Sequence, residues 1–509
     1  MTAALSLDAV ERFRGLVARR FGLSFDDAKL GVLADVLRRR LAVVGQPCET
    51  YLGSLEARQL GDDELRALAS ALTVTETYFF RNPDQFRALE QSVLPSRIQA
   101  QATTRRLRIL SAGCASGEEP YSLAIVARQC LPDPFWDVSI RGVDINPAML
   151  DKARLGRYSV WSLRETPPEI QRRWWTQEDR VFHLDAALRD AVRFEERNLV
   201  EADPALWQPE TFDVVFCRNV LMYFTPQQAQ AVVVRIARAL VRGGYLFLGH
   251  AETLRGISQD FHLRHTHGTF YYQRRPSLER ECEAAFWDRA EAAAPLPPAL
   301  VDGADTWVDA IRRATDRIQA LSARAPTPVL RGDGAPPAGV ERGWDLRRSI
   351  ELLRNERFAE ALALMHTLPP ESAHDPEVLL LRATLLAHSG EPARAEAICA
   401  ELLELDELNS GAHYLLALCR EAAGDRRGAV AQDQVAVYLD PSFAMPRLHL
   451  GLLARRAGDA DAARKEFGDA LVLLQREDAS RLLFFGGGFS REALTALCRA
   501  EIAACGGGG

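Results

Sequence analysis

Gly390, Gly424 and Gly458 stand 34 residues apart, and no other feature restricts the fold of this chain as tightly. Ala361, Ala395, Ala429 and Ala463 keep the same interval, as do Leu405, Leu439 and Leu473. Chance is a weak competitor when three residue series share one register. A 34-residue period with a small residue in each helix is the tetratricopeptide pattern, one helix pair per repeat. A single pair cannot bury its apolar face alone, so neighbours stack into a superhelix with a concave surface. Four units are expected within 344–480, the first, from about Trp344, being the most degenerate. This stretch holds 15 basic and 23 acidic residues, so the chain's net charge of −7 is concentrated here.

The rest of the 509 residues must supply further domains, since a domain takes roughly 100–200 residues. No run approaches the ~20 apolar residues of a membrane span, and MTAALSLDAVERFRG lacks the apolar core of a signal peptide. Nine scattered cysteines without a CxxC pair fit reduced thiols and argue against a disulfide frame or a zinc site. These features predict a cytoplasmic protein without membrane insertion. A net-acidic chain is a poor general nucleic-acid binder. Only Lys29, Lys152 and Lys465 are lysine among 62 basic residues, which we attribute to coding bias.

Residues 1–95 read as a helical domain, with Phe13, Val17 and Phe21 on one face and Val32, Val36 and Leu41 on another. Charge balances over residues 1–100, yet Arg38, Arg39 and Arg40 are adjacent. From 96 to 275, short apolar runs (LRILS, VSIRGV, FDVVFC, YLFLG) alternate with helical stretches, the signature of a doubly wound α/β sheet. That rhythm fails between Leu155 and Phe194, which suggests an inserted subdomain at about 156–195. Residues 276–343 are rich in Ala, Pro and Gly and read as a tether, with a helix around Trp307–Leu321. Residues 481–509 form a tail whose closing GGGG is expected to be disordered or a cloning remnant.

The chemistry points to 107–129, LRILSAGCASGEEPYSLAIVARQ. A strand runs into Gly113 and Gly117, and a helix follows. Glycines there let the backbone approach a ligand. The spacing is GxxxG, not the GxGxxG of a dinucleotide site. Glu118 and Glu119 at the helix start would repel a pyrophosphate, which normally uses that end's positive field. They suit a ligand carrying positive charge, such as the sulfonium and ammonium of S-adenosylmethionine. Asp144 at the next strand tip can accept ribose hydroxyls, or simply cap the following helix. Asn198 could pair with an adenine edge, and Arg218, Asn219 and Tyr223 follow FDVVFC. All of these map to the carboxyl ends of strands, where open α/β sheets hold ligands. The cluster His262, His265 and His267 lacks metal-ligand spacing and reads as polar surface, so no metal is expected.

TVTETYFFR (73–81), SAGCASGEEPYS (111–122), GVDINPAMLDKAR (142–154), FCRNVLMYF (216–224) and GGYLFLGHAE (243–252) together resemble the chemotaxis-receptor glutamate methyltransferases of the CheR family, over residues 1–275. The resemblance implies a Rossmann-like methyltransferase domain with an N-terminal all-α domain and a small β insert. It implies S-adenosylmethionine as donor and glutamates of a methyl-accepting chemoreceptor as acceptors. Carried over, cofactor contacts would be Thr77, Arg81, Gly113, Glu118, Asp144, Asn198, Leu199, Asn219 and Val220. Tyr223 would flank the transferring methyl group, and Arg97 would steer the acceptor with it. Arg38, Arg39 and Arg40 would dock acidic receptor helices. Thr75 replaces an Asn of many relatives and is not expected to touch cofactor. The stretch WWTQEDRVFHLDAAL is shorter than in relatives that capture a receptor peptide and has no glycine. That implies a peptide-independent enzyme whose repeat array is the docking surface for an unidentified protein partner. Methyl transfer to a small molecule or another protein, and a scaffold with an inactive methyltransferase domain, remain the alternatives.

Overall fold

The computed structural model describes residues 5–131, 133–276, 346–355, 357–368, 372–487 and 489–506. The tether and its expected helix around Trp307–Leu321 lie outside these residues. The chain divides into two compact units, Met1–Cys282 and Glu283–Gly509, each considered by itself.

Four helices open the first unit: α1 (Leu7–Phe21), α2 (Leu30–Val44), α3 (Cys48–Glu56) and α4 (Asp62–Leu72). Phe13, Val17 and Phe21 of α1 pack on Leu33, Val36 and Leu37 of α2 and on Tyr51, Leu52 and Leu68. The face of α2 therefore differs from the expected one, because Val32 is 56% exposed and Leu41 only half-buried. The i, i+3, i+4 spacing of 33, 36 and 37 makes the tighter stripe. Two further helices, α5 (Pro83–Ala88) and α6 (Leu94–Ala100), lead into the sheet.

The α/β part runs β1 (Arg106–Ala112), α7 (Glu118–Cys130), β2 (Asp137–Asp144), α8 (Pro147–Leu155), then the insert, then β6 (Val192–Glu196), β7 (Phe212–Cys217), α11 (Pro226–Ala239), β8 (Leu240–Leu248), β9 (Phe261–Thr266) and β10 (Thr269–Arg274). The seven strands are ordered β6-β2-β1-β7-β8-β10-β9. The first five neighbours pair parallel, and β10 pairs antiparallel with both β8 and β9. β7 is buried along its whole length, as a central parallel strand covered on both faces requires.

The insert contains β3 (Arg157–Ser159), α9 (Pro168–Trp174), β4 (Trp175–Glu178), β5 (Val181–Leu184) and α10 (Ala186–Arg189). Its strands form an antiparallel sheet ordered β3-β5-β4. Only Asp179 and Arg180 join β4 to β5, with Asp179 at φ 54° supplying the positive φ that a two-residue hairpin needs. The absence of glycine thus coincides with a minimal turn and no loop.

In the second unit, α12 (Leu346–Arg354) and α13 (Phe358–Met365) precede three regular pairs. These are α14 (Pro376–His388) with α15 (Pro392–Leu405), α16 (Ser410–Ala422) with α17 (Arg426–Leu439), and α18 (Ala444–Arg456) with α19 (Ala460–Leu474). First helices begin at 376, 410 and 444 and second helices at 392, 426 and 460, reproducing the 34-residue interval. Gly390, Gly424 and Gly458 sit at φ 79–85° after each first helix, the left-handed stop that glycine takes at least cost. The four alanines of the second series are fully buried. The leucine series is not uniform: Leu439 is buried, Leu473 half-buried and Leu405 46% exposed. The chain closes with α20 (Ala479–Phe485) and α21 (Arg491–Gly506). No helix among the described residues is long and apolar enough to cross a membrane.

Candidate active site

The carboxyl ends of β1, β2, β6 and β7 meet the helical domain at one cleft. Where β1 ends, Gly113 turns at φ 77° and donates its N–H to the Val143 carbonyl at 2.8 Å. A Cβ there would come within 2.4 Å of Val220 Cγ2, so only glycine leaves this wall open. Ala115 and Asn146 donate backbone N–H groups to opposite oxygens of Asp144, both at 2.8 Å. Burial raises the Asp144 pKa, and these N–H groups oppose the rise. The carboxylate is held at the strand tip with lone pairs left for a ligand.

The two glutamates that open α7 part company. Glu118 is buried, accepts from Ser116 Oγ at 2.8 Å and has its pKa raised by burial; it does not line the cleft. Glu119 does, and it accepts from Ser111 Oγ at 2.7 Å while pairing with Arg218 Nε at 2.9 Å. Arg218 is nearly sealed from solvent and also donates to the Arg81 carbonyl at 2.6 Å and Gln85 Oε1 at 2.8 Å. Burial lowers its pKa, but a guanidinium stays charged in proteins, so Glu119 is its counter-ion.

After β7 the chain bends sharply, with Asn219 at φ 56°. Glu252 holds this bend. Its buried carboxylate accepts N–H groups from Asn219 (2.6 Å), Val220 (2.9 Å), Met222 (3.2 Å) and Gly249 (2.7 Å). A Cβ on Gly249 would meet Asn219 Nδ2 at 2.7 Å and Glu252 Oε2 at 2.8 Å, which explains the glycine three residues before that acid. The bend presents Asn219, Val220 and Tyr223 to the cleft.

The opposite wall comes from 73–81 and the helical domain. Phe79 packs edge-on against Tyr158 and Trp175, each 4.8 Å between ring centroids, and Phe80 donates its N–H to Ser122 Oγ at 3.0 Å. These anchors leave Thr75, Glu76, Thr77 and Arg81 along the cleft. Phe21, Leu23, Phe25 and Lys29 close it, tied by Ser24 N–H to the Tyr223 carbonyl at 2.7 Å.

Of the residues expected to act, Thr77, Arg81, Gly113, Asp144, Asn198, Leu199, Asn219, Val220 and Tyr223 line this one cleft. Thr75 joins them, against expectation. Arg97 does not. It is buried and paired at 2.8 Å with Asp213, the second residue of β7, at the opposite end of the strand from the cleft. At about 3.3 Å per residue the length of β7 separates it from Asn219, so it braces the sheet instead of steering an acceptor. Arg40 is likewise committed: it pairs with Glu64, which also accepts from Tyr51 OH at 2.7 Å, tying α2 to α3 and α4. Arg38 and Arg39 remain exposed. The sequence marks Glu119 only as one of two adjacent acids, with Glu118 the expected cofactor contact, and does not single out Glu252, whose only signal is its place inside GHAE. Among the described residues no cluster of three His, Cys, Asp or Glu could hold a metal ion. His265 stacks on Phe270 at 4.2 Å, and His267 Nε2 lies 3.0 Å from Gln91 Oε1.

Residues 75–270 match the family model described as CheR methyltransferase, SAM binding domain. The chain is 33% identical over 266 residues to chemotaxis protein methyltransferase 2 of Vibrio cholerae, covering 52% of this chain and 91% of that protein. It is 35% identical over 202 residues to chemotaxis protein methyltransferase 1 of Pseudomonas aeruginosa, covering 38% and 72%. Similarity to a Pseudomonas putida protein named "Probable biofilm formation methyltransferase WspC" runs further: 28% identity over 469 residues, 89% of this chain and 96% of that one.

Proposed function

Because the chain belongs to the CheR family of S-adenosylmethionine-dependent methyltransferases, we propose that it methylates glutamate side chains in the cytoplasmic domain of a methyl-accepting chemoreceptor, forming glutamyl methyl esters, while its repeat array holds a protein partner. The reading rests above all on one observation: a helical domain and the strand tips share a single cleft, so an acceptor meets a surface of both.

The donor set suits the cofactor. Asp144 and Glu119 put carboxylates into a cleft whose glycine-lined floor has no room for a side chain at Gly113, and none of the lining groups forms a phosphate cradle. S-adenosylmethionine, when bound, supplies a methyl group on a positively charged sulfur. Asp144 would accept ribose hydroxyls, Asn198 and Leu199 would border the adenine, and Thr77, Arg81, Asn219 and Val220 would contact the rest. Asn198 turns its own amide inward, with Nδ2 donating to the Arg20 carbonyl at 3.2 Å, so its contribution is the shape of that wall. Tyr223 would flank the reacting centre and Arg81 would attract the acceptor carboxylate. A glutamate with a pKa near ~4.3 is already a carboxylate at neutral pH, so no general base is required. Alignment alone can supply on the order of 7–11 kcal/mol. Similarity along nine-tenths of the chain to a protein named for biofilm formation supports a receptor that governs surface attachment. The enzyme would then work in the cytoplasm at receptor arrays.

The deciding experiment transfers a labelled methyl group to purified receptor cytoplasmic domains and follows it with mild base. Methanol release is expected; a base-stable product, or no transfer by cofactor-bound enzyme, would overturn the reading.

A further inference from the structure

Between the last repeat helix and the terminal helix stands the short helix α20, packed back onto the array. The seven residues of α20 lie across the first helices of successive pairs. Phe485 is seated over Gly411 of α16, where even a Cβ would come within 2.8 Å of its ring. Its ring lies 5.9 Å from Tyr414 and 5.1 Å from Phe443, and Tyr414 OH donates to its carbonyl at 3.4 Å. Phe484 is fully buried, and its carbonyl lies 2.9 Å from His388 Nε2 at the end of α14. Arg481, one turn earlier on the same helix face, pairs with Asp440 and lies over the Phe443 ring. The occupant is thus a short helix with an arginine at i and phenylalanines at i+3 and i+4, held by an acid and an aromatic slot.

Two features mark this helix as an occupant and not as the closing element of the array. The terminal helix α21 has polar ties of its own to the last repeat pair: Arg455 pairs with Glu501, and Arg464 donates to the Cys505 carbonyl at 2.7 Å. And α20 is followed by Gly486, Gly487 and Gly488 in sequence, a run with little intrinsic preference for one path. The groove also continues beyond α20. Ile350, Leu353, Phe358, Leu482 and Phe489 line an open channel, with Phe489 63% exposed.

We propose that this groove is the array's partner site, that its partner is a helical peptide carrying a basic residue three and four positions before an aromatic pair, and that α20 is a resident competitor for it. The inference rests on the reading that the array takes a protein partner. It adds where the partner sits and what chemistry is recognised, a helix-in-groove mode read through alternate anchors. The excess of acid over base in 344–480 complements a basic peptide.

A fluorescein-labelled peptide of residues 476–489 is the probe, added to full-length protein and followed by anisotropy. A tethered competitor acts at an effective concentration near the millimolar range, so the peptide should bind wild type on the order of 100-fold more weakly than a Phe484→Ala/Phe485→Ala chain. Arg481→Glu, which alters the occupant and leaves the groove intact, should also raise peptide affinity and guards against a folding defect in the double variant. Adding Gly411→Leu, which fills the Phe485 slot, should abolish binding. Failure of the peptide to bind either opened chain would overturn the proposal, as would equal binding with Gly411→Leu present or exchange of α20 between two copies. A receptor-complex protein captured equally by wild-type and Gly411→Leu chains would keep partner binding by the array and overturn only the groove. Since no readout involves methyl transfer, these outcomes are separable from those of the methylation assay.

Discussion

In the methyltransferase unit, buried charges find partners far away in sequence: Arg97 reaches Asp213, Arg218 reaches Glu119, and Glu252 reaches back to Asn219. In the repeat array most buried contacts join neighbouring helices through a large apolar cluster. The first kind of structure concentrates function in a few irreplaceable contacts. The second spreads stability over many replaceable ones, approximately as a sum of nearest-neighbour terms.

The contrast is sharpest at Glu252. Glu252→Ala strips four N–H groups of one acceptor, and a buried donor left unsatisfied costs about 1–3 kcal/mol. The bend carrying Asn219 and Tyr223 should relax, and kcat for methyl transfer should fall at least ~100-fold, about 2.7 kcal/mol of barrier. Stopped assays of purified protein, with folding checked by circular dichroism, test this. A variant with wild-type kcat would show that the bend holds itself.

One substitution made in both regions extends the comparison. Gly113 and Gly424 share a left-handed backbone, φ 77° and 85°. Alanine at Gly424 meets open space and should cost only the left-handed penalty of about 1–2 kcal/mol, seen as a lower Tm with normal catalysis. Alanine at Gly113 drives Val220 out of the cleft wall, so cofactor affinity by calorimetry should drop roughly tenfold or more beyond that same backbone cost. Equal effects of the two on cofactor affinity would erase the distinction.

That distinction also governs how much could be read before the fold was known. The repeats are local, so glycines at 390, 424 and 458 announce helix ends by chain position alone. The strand tips are likewise marked by their short apolar runs. What stayed hidden is which of two adjacent side chains faces the cleft. Glu118 and Glu119 differ by a ~100° turn of helix, and nothing local selects Glu119; its selection comes from Ser111 on β1 and Arg218 after β7. Arg97 was misplaced for the same reason, since its partner Asp213 is 116 residues away. Glu252 was invisible because a loop-clamping carboxylate has no periodicity. Val32 and Leu33 were confused by a one-residue shift of a helical stripe, the weakest point of any pattern reading.

A smaller effect should come from a buried histidine–carboxylate pair in the array. His449 pairs with Asp433 at 2.7 Å and with Glu421 at 2.9 Å, and Arg456 also reaches Glu421. Burial pushes the Asp433 carboxyl up to about 7, with Glu421 and Glu466 adding to it against the pull of His449. Burial works against the His449 imidazolium, but its acid partners outweigh that and raise it. Both groups therefore hold protons in the folded array that the unfolded chain releases between about pH 4 and 7. Stability contributed by the pair is present at low pH and lost as pH rises through neutrality. The Tm of the array's transition should fall by a few degrees from pH 6 to pH 8, and Asp433→Asn should flatten the slope. A Tm rising over that window would contradict the pairing.

The smallest effect should separate Arg38 and Arg39 from Arg40. Arg38 pairs only with exposed Asp35, and Arg39 donates to the Asp35 carbonyl; such contacts are worth little and exchange readily for another acid. If receptor helices dock on α2, reversing Arg38 and Arg39 to Glu should raise KM for receptor a few-fold at low salt, leave cofactor affinity unchanged, and lose its effect as salt screens the surface. Arg40→Glu should act otherwise. It leaves Glu64 and Tyr51 facing a like charge in a half-buried site, so Tm should drop while KM per folded molecule stays close to wild type. A KM indifferent to Arg38 and Arg39 would move receptor docking away from this helix.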